Sequence, residues 1–210
     1  MARLPYNLRV PDQMKKMLEL IPQLHLSGYL DRSGGTVALR DQRGFLVSPE
    51  NAGELMKWEL SEEDLVLFPG EGEASMARAG RRPSRMNRWL REMLAVRKEW
   101  RCCVQTMGWG AMSFALAGRE LPLHNVSQQI FNTGKSGSVP VVPASLDHDA
   151  QGEKLRELVS HAFGSSNFGV VLVEGEAVVI AGTDTALLPA ALDTIEGLAR
   201  AQQWLLSSGK

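Results

Sequence analysis

Two apolar runs near the C-terminal end constrain this chain most: Gly169-Val170-Val171-Leu172-Val173 and Val178-Val179-Ile180-Ala181-Gly182. β-Branched residues dominate both, and only a few residues around Gly175 lie between them. Phe168–Glu174 and Ala177–Ala181 therefore read as the two arms of a hairpin. Strands this apolar need cover, and the sequence before and after them supplies helices to give it.

Residues 11–30 open with Pro11-Asp12 and place Met14, Met17, Leu18, Ile21, Leu24 and Leu26 near helical spacing, which predicts a helix bent near Pro22. Thr36–Arg40 alternates like a strand, and Asp41-Gln42-Arg43-Gly44 turns it into a second strand, Phe45–Ser48. A short helix over Asn51–Trp58, a turn in which Ser61 and Asp64 cap each other, and a strand Leu65–Phe68 follow. Residues 69–82 read as a loop. Pro83-Ser84 opens a helix that buries Trp89, Leu90, Met93 and Leu94, and Arg101–Met107 is the central strand. Beyond it come a helix from Gly108-Trp109-Gly110 through Leu116 and a short helix over Val126–Phe131. Then follow a strand Val139–Val142, a helix Gly152–Phe163, the hairpin, and a last helix Thr183–Leu206 that counts Trp204 on its apolar side. The pattern predicts one α/β domain over residues 1–210, a mixed or antiparallel sheet covered by helices.

A chain of 210 residues with 44% hydrophobic content is long enough to bury a sizeable core. Its net charge of −1 creates no global field for nucleic acid or membrane. No apolar run reaches the roughly 18–20 residues of a membrane span, and Met1–Tyr6 lacks the apolar core of a signal peptide. Cys102 and Cys103 are adjacent, a geometry that disfavours a mutual bridge, so they read as reduced thiols with at least one buried. A cytoplasmic protein is expected. Arginines at 78, 81, 82, 85, 88 and 91 make a local basic run whose one aromatic, Trp89, has the spacing of a helix core, so the run reads as a solvated face or a subunit contact.

The order of these pieces resembles the class II aldolase/adducin family along roughly residues 12–207. Ser33-Gly34-Gly35-Thr36-Val37-Ala38-Leu39-Arg40 is similar to that family's Ser-Gly-Asn turn and strand, and Gly44-Phe45-Leu46-Val47-Ser48-Pro49 to its Phe-Leu-Ile-Thr-Pro segment. Leu60-Ser61-Glu62-Glu63-Asp64-Leu65-Val66 is similar to Leu-Thr-Pro-Glu-Asp-Leu-Val, Pro83-Ser84 to the start of Pro-Ser-Ser-Glu, and Val139-Pro140-Val141-Val142-Pro143 and the hairpin to the closing strands. The resemblance implies a three-layer class II aldolase-like fold, a homo-oligomer such as a tetramer with its cleft between subunits, and a Zn²⁺ held by three histidines. Two of those come from a His-x-His on a central strand and one from an Asn-His-Gly in the final hairpin.

Here the matching positions hold Gln105, Met107 and Glu176. An amide, a thioether and one carboxylate agree on no metal. The family's acid/base carboxylate corresponds to Met86, which can move no proton. No metal and no cofactor are therefore expected. In the phosphate pocket that the resemblance implies, Gly35 and Ser84 remain, Thr36 replaces an asparagine, Glu50-Asn51 replaces Ser-Gly, and Arg85 replaces a serine. Gly35, Thr36, Ser48, Glu50, Ser84, Arg85 and Met107 are the candidate ligand-binding residues, either for a small anion or with Glu50 and Arg85 paired to each other. Glu176, Gln105 and His124 are the candidate catalytic ones. His25 and His161 read as helix residues without chemistry, and His148 as part of a polar loop. Two functions follow from this reading. One is a non-catalytic or repurposed ligand-binding and assembly module. The other is a carbon–carbon lyase, aldolase- or decarboxylase-like, acting on a small aldehyde, keto acid or sugar-derived substrate without zinc.

Overall fold

The structure, a computed structural model, describes residues 12–32, 34–69, 80–124, 131 and 137–208. Its centre is a seven-stranded sheet in the order β3-β2-β1-β4-β9-β8-β7. The strands are β1 (Thr36–Asp41), β2 (Gly44–Val47), β3 (Val66–Pro69), β4 (Cys102–Thr106), β7 (Val141–Val142), β8 (Phe168–Val173) and β9 (Ala177–Gly182), and β5 (Leu121–Pro122) and β6 (Ser138–Val139) form a separate ribbon. All pairings in the large sheet are antiparallel except β7 with β8. The sheet is therefore mixed, and β4 stands at its middle.

Every residue of β4, β8 and β9 is buried, so both faces of the central sheet are covered. Helices α3 (Asn87–Val96) and α5 (His148–Phe163) pack on each other, as do α4 (Trp109–Leu116) and α6 (Leu188–Ser207), while α1 (Asp12–Leu26) lies against β1. The short α2 (Ala52–Met56) has left-handed backbone at Asn51 on its N-terminal side and at Lys57 and Trp58 on its C-terminal side. Cys102 and Cys103 are both buried and free in β4. Burial pushes the Cys102 thiol up to about 12 and that of Cys103 well above its ordinary value.

Several expectations change. The helix expected from Pro83-Ser84 begins at Asn87. The strand expected over Val139–Val142 is broken at Pro140: Val139 pairs with Leu121 and Val141 with Leu172, because proline cannot donate to one continuous ladder. α5 starts at His148, four residues before the expected Gly152, because the Asp147 carboxylate caps it, accepting from Asp149 N (3.0 Å) and Ala150 N (2.8 Å). His148 is thus helical rather than in a loop, and its ring stacks on Trp89 with centroids 5.0 Å apart. Trp204, expected on the apolar side of the last helix, is 64% exposed, and Trp109 on α4 is 81% exposed. Most of the expected loop at 69–82 and of the helix at 126–131 lies outside the described residues. Among the described residues no helix is long and apolar enough to cross a membrane.

Candidate functional site

A cavity of about 760 Å³ opens where β1 and β4 meet α2 and the start of α3. Its floor is set by strand register. Thr36 of β1 stands opposite Gln105 of β4, so their side chains share a face, and Thr36 Oγ1 donates to Gln105 Oε1 at 3.0 Å. Thr36 has one hydroxyl proton. Ser84 Oγ, 2.7 Å away, must therefore donate to Thr36, and Ser84 Oγ in turn accepts from Met86 N at 3.3 Å. This directed chain is buried: Thr36, Ser84 and Gln105 are 0%, 9% and 5% exposed. Each link satisfies a group that would otherwise be costly to desolvate.

The β4–β9 register runs Gln105↔Val179 and Thr106↔Val178. β4 ends one residue before Met107, and Glu176 stands in the turn one residue before β9. Gln105, Met107 and Glu176 all line the cavity. Gln105 Nε2 lies 3.9 Å from Met107 Sδ, so with Oε1 already accepting from Thr36, the amide turns its N–H side toward the thioether. An N–H group repels a cation, which leaves one sulfur and one exposed carboxylate as donors. This set does not fit a Zn²⁺ site. Among the described residues no three His, Cys, Asp or Glu side chains are grouped to hold a metal ion.

On the opposite wall Arg85 Nε donates to Glu50 Oε1 at 3.0 Å. The Arg85 side chain is 86% exposed, so this pair contributes at most about 1 kcal/mol and can reopen readily. Gly35, Thr36, Glu50, Ser84, Arg85 and Met107 thus line the cavity, but Ser48 does not. Its hydroxyl is fully buried and accepts from Val37 N at 3.1 Å, tying β2 to β1 behind the cavity. His124 is likewise not a lining residue: it is exposed, with Nε2 2.6 Å from the side-chain amide of Gln202 on α6. Its candidacy came from where the resembled family's chain passes its active site, and that does not fix where this ring stands.

The sequence reading missed Arg32, Gly53, Glu54 and Trp58, all of which line the same cavity. Trp58 adopts left-handed backbone (φ 63°), a strained state for a bulky residue. Its indole is buried and donates from Nε1 to Asp31 O at 2.8 Å, which offsets that strain. Gly53 is there because a Cβ would lie 2.1 Å from the same Asp31 carbonyl. The wall charges are Arg32 and Arg85 against Glu50, Glu54 and Glu176.

Beside the end of β4, the buried Glu196 of α6 accepts from Gly110 N at 2.7 Å and Ala111 N at 3.1 Å. The carboxylate satisfies the first turn of α4 and complements its dipole. Glu196→Ala should lower stability by about 2–4 kcal/mol, because two buried donors lose their acceptor, while Glu196→Gln should lose less. Urea unfolding monitored by tryptophan fluorescence measures both. Equal losses would mean that a neutral acceptor at 196 rescues nothing and that the contribution rests on the full carboxylate.

A family model described as the class II aldolase and adducin N-terminal domain matches residues 15–203. Among solved structures the chain is similar to L-fuculose-1-phosphate aldolase from Thermus thermophilus, with a TM-score of 0.70 at 20% identity, covering 96% of this chain and 100% of that one. It is similar to another L-fuculose 1-phosphate aldolase with a TM-score of 0.75 at 14% identity over 98% and 92% of the two chains. An aldolase II superfamily protein from Pseudomonas syringae gives a TM-score of 0.70 at 15% identity over 95% and 79%. At such identities the likeness is one of fold. No curated protein matches the sequence.

Proposed function

The chain belongs to the class II aldolase and adducin family, and from that premise we propose that it is a member without the zinc-dependent chemistry, repurposed as a ligand-binding and self-assembling module. The observation that carries this reading is the buried chain from Met86 N through Ser84 and Thr36 to Gln105. It commits the side chain at a histidine position to a neutral protein contact. With Met86 where the family's acid/base carboxylate is implied, the cavity retains a recess and loses the pair of functions that aldol cleavage needs. Among the described residues two guanidiniums face three carboxylates on its wall, which favours a neutral or singly charged polar ligand over a phosphate dianion. Self-assembly is supported by Trp109 and Leu116 on α4 and Trp204 and Leu206 on α6, apolar side chains at least half exposed on two helices that pack together.

Metal analysis after exposure to excess Zn²⁺, Mn²⁺ and Fe²⁺ and gel filtration tests the proposal. The expected content is far below one ion per chain, and a stoichiometric content overturns it. A thermal-shift screen of small aldehydes, keto acids and sugar phosphates then seeks the ligand.

A second reading, a zinc-independent lyase, draws support from the cavity being open and polar rather than filled. There Glu176 would act as the base and Arg32 would hold an anionic substrate group. Turnover of a keto acid or aldehyde that Glu176→Gln abolishes would favour the lyase over the binding module.

A further inference from the structure

The run of arginines that sequence alone assigns to a solvated face is split by the fold. Arg81 Nε lies 3.3 Å from Asp64 Oδ1 and Arg85 pairs with Glu50, whereas Arg88 and Arg91, one helical turn apart on α3, face a different cleft. This cleft, of about 660 Å³, is bounded by α3, by Arg156 of α5 and by Phe45 of β2, and among the described residues Glu92 is its single lining carboxylate. We propose that it is a binding site for a multivalent oxyanion of the di- or triphosphate class, separate from the cavity at Gln105.

The charge balance carries the argument. Among the described residues three guanidiniums line the cleft against one carboxylate, and Asp149, which pairs with Arg88 Nη1, lies outside the lining. An excess of positive charge therefore remains in a chain whose net charge is −1. Arg91 makes no ion pair among the described residues. Its guanidinium carbon lies over the Phe68 ring, 5.4 Å from the centroid, a cation–π contact that positions the group without neutralising its charge.

Arg156 Nη1 is 3.7 Å from Glu92 Oε2, a loose contact that a stronger acceptor can displace. The stems of Arg88 and Glu92 are held by close helix packing: a Cβ on Gly152 of α5 would come 3.3 Å from Arg88 Nε and 3.4 Å from Glu92 Cγ. Because Glu92 repels any anion entering here, a single negative charge gains little, and a ligand with several charges spans Arg88, Arg91 and Arg156 together.

The test is isothermal titration of the full chain with inorganic tripolyphosphate at low ionic strength, with parallel arms for orthophosphate and ATP. Saturable binding of one tripolyphosphate per chain is expected, weakening as NaCl is raised. Orthophosphate should bind more weakly, and ATP about as well as tripolyphosphate. Arg91→Ala and Arg156→Ala should each weaken binding about tenfold or more, Glu92→Gln should tighten it, and Arg43→Ala, a surface arginine on the β1–β2 turn paired with Asp41, should leave it unchanged. Circular dichroism of each variant establishes that it is folded. Absence of saturable tripolyphosphate binding overturns the proposal. So does binding that Arg91→Ala and Arg156→Ala leave intact, or binding of ATP alone.

Discussion

Gln105→His combined with Met107→His is expected to give a chain that takes up one Zn²⁺, whereas the unaltered chain is expected to take up almost none. Positions 105 and 107 alternate onto one face of β4 and its extension, and Glu176 reaches the same cavity from the turn before β9. Two imidazoles added to the carboxylate already present complete a His₂Glu set, a known three-ligand arrangement for zinc with an open fourth position. Thr36 Oγ1, now spent on Gln105, would be free to accept the second ring N–H of a histidine at 105 and fix its tautomer. Micromolar affinity or better, about −8 kcal/mol, is the expected result, read by metal analysis and competition with a chelator. Either single substitution should leave at most two good donors and bind far more weakly. A double variant that stays metal-free would show that the three positions do not converge, and the donor argument for the unaltered chain would fall with it.

That prediction depends on positions legible in the sequence, and the reason they were legible is specific. The resemblance to the family assigns Gln105, Met107, Thr36, Ser84 and Glu176 to one cleft, and the strand register sets Thr36 opposite Gln105 there. The hairpin around Gly175 appears as expected because its two β-branched runs leave no other pairing. The Glu50–Arg85 pair also forms, as the opposite charges flanking that turn and helix start suggest.

What escaped has a different origin. Trp58 and Gly53 line the cavity only because the backbone near α2 turns left-handed and the indole reaches back to Asp31, a closure over 27 positions that no local pattern encodes. Ser48 lies in the right segment but spends its hydroxyl on Val37 N, a choice made by the pairing of two strands. The start of α5 was missed because an aspartate at an N-cap and an aspartate in a loop look alike until the N–H groups they accept from are known.

Trp100→Ala should be the most damaging single substitution in the core, lowering stability by about 3–5 kcal/mol. The ring is fully buried just before β4, its Nε1 donates to Ser166 O at 3.0 Å, and it fills the space above Gly169 of β8. In a chain of this size each kcal/mol shifts the melting temperature by roughly 2–4 °C, so Tm should fall by about 6–20 °C. The same contact makes the reverse change costly. A Cβ at Gly169 would lie 2.2 Å from Trp100 Cη2, and Gly169→Ala should cost about 1–3 kcal/mol through overpacking. The two losses must not add. Once the indole is gone, the alanine methyl enters vacated space, and Trp100→Ala with Gly169→Ala should be more stable than the sum of the single effects by at least about 1 kcal/mol. Denaturant unfolding of the four proteins measures that coupling directly. Additive losses would mean that Gly169 is required by its backbone rather than by the ring above it.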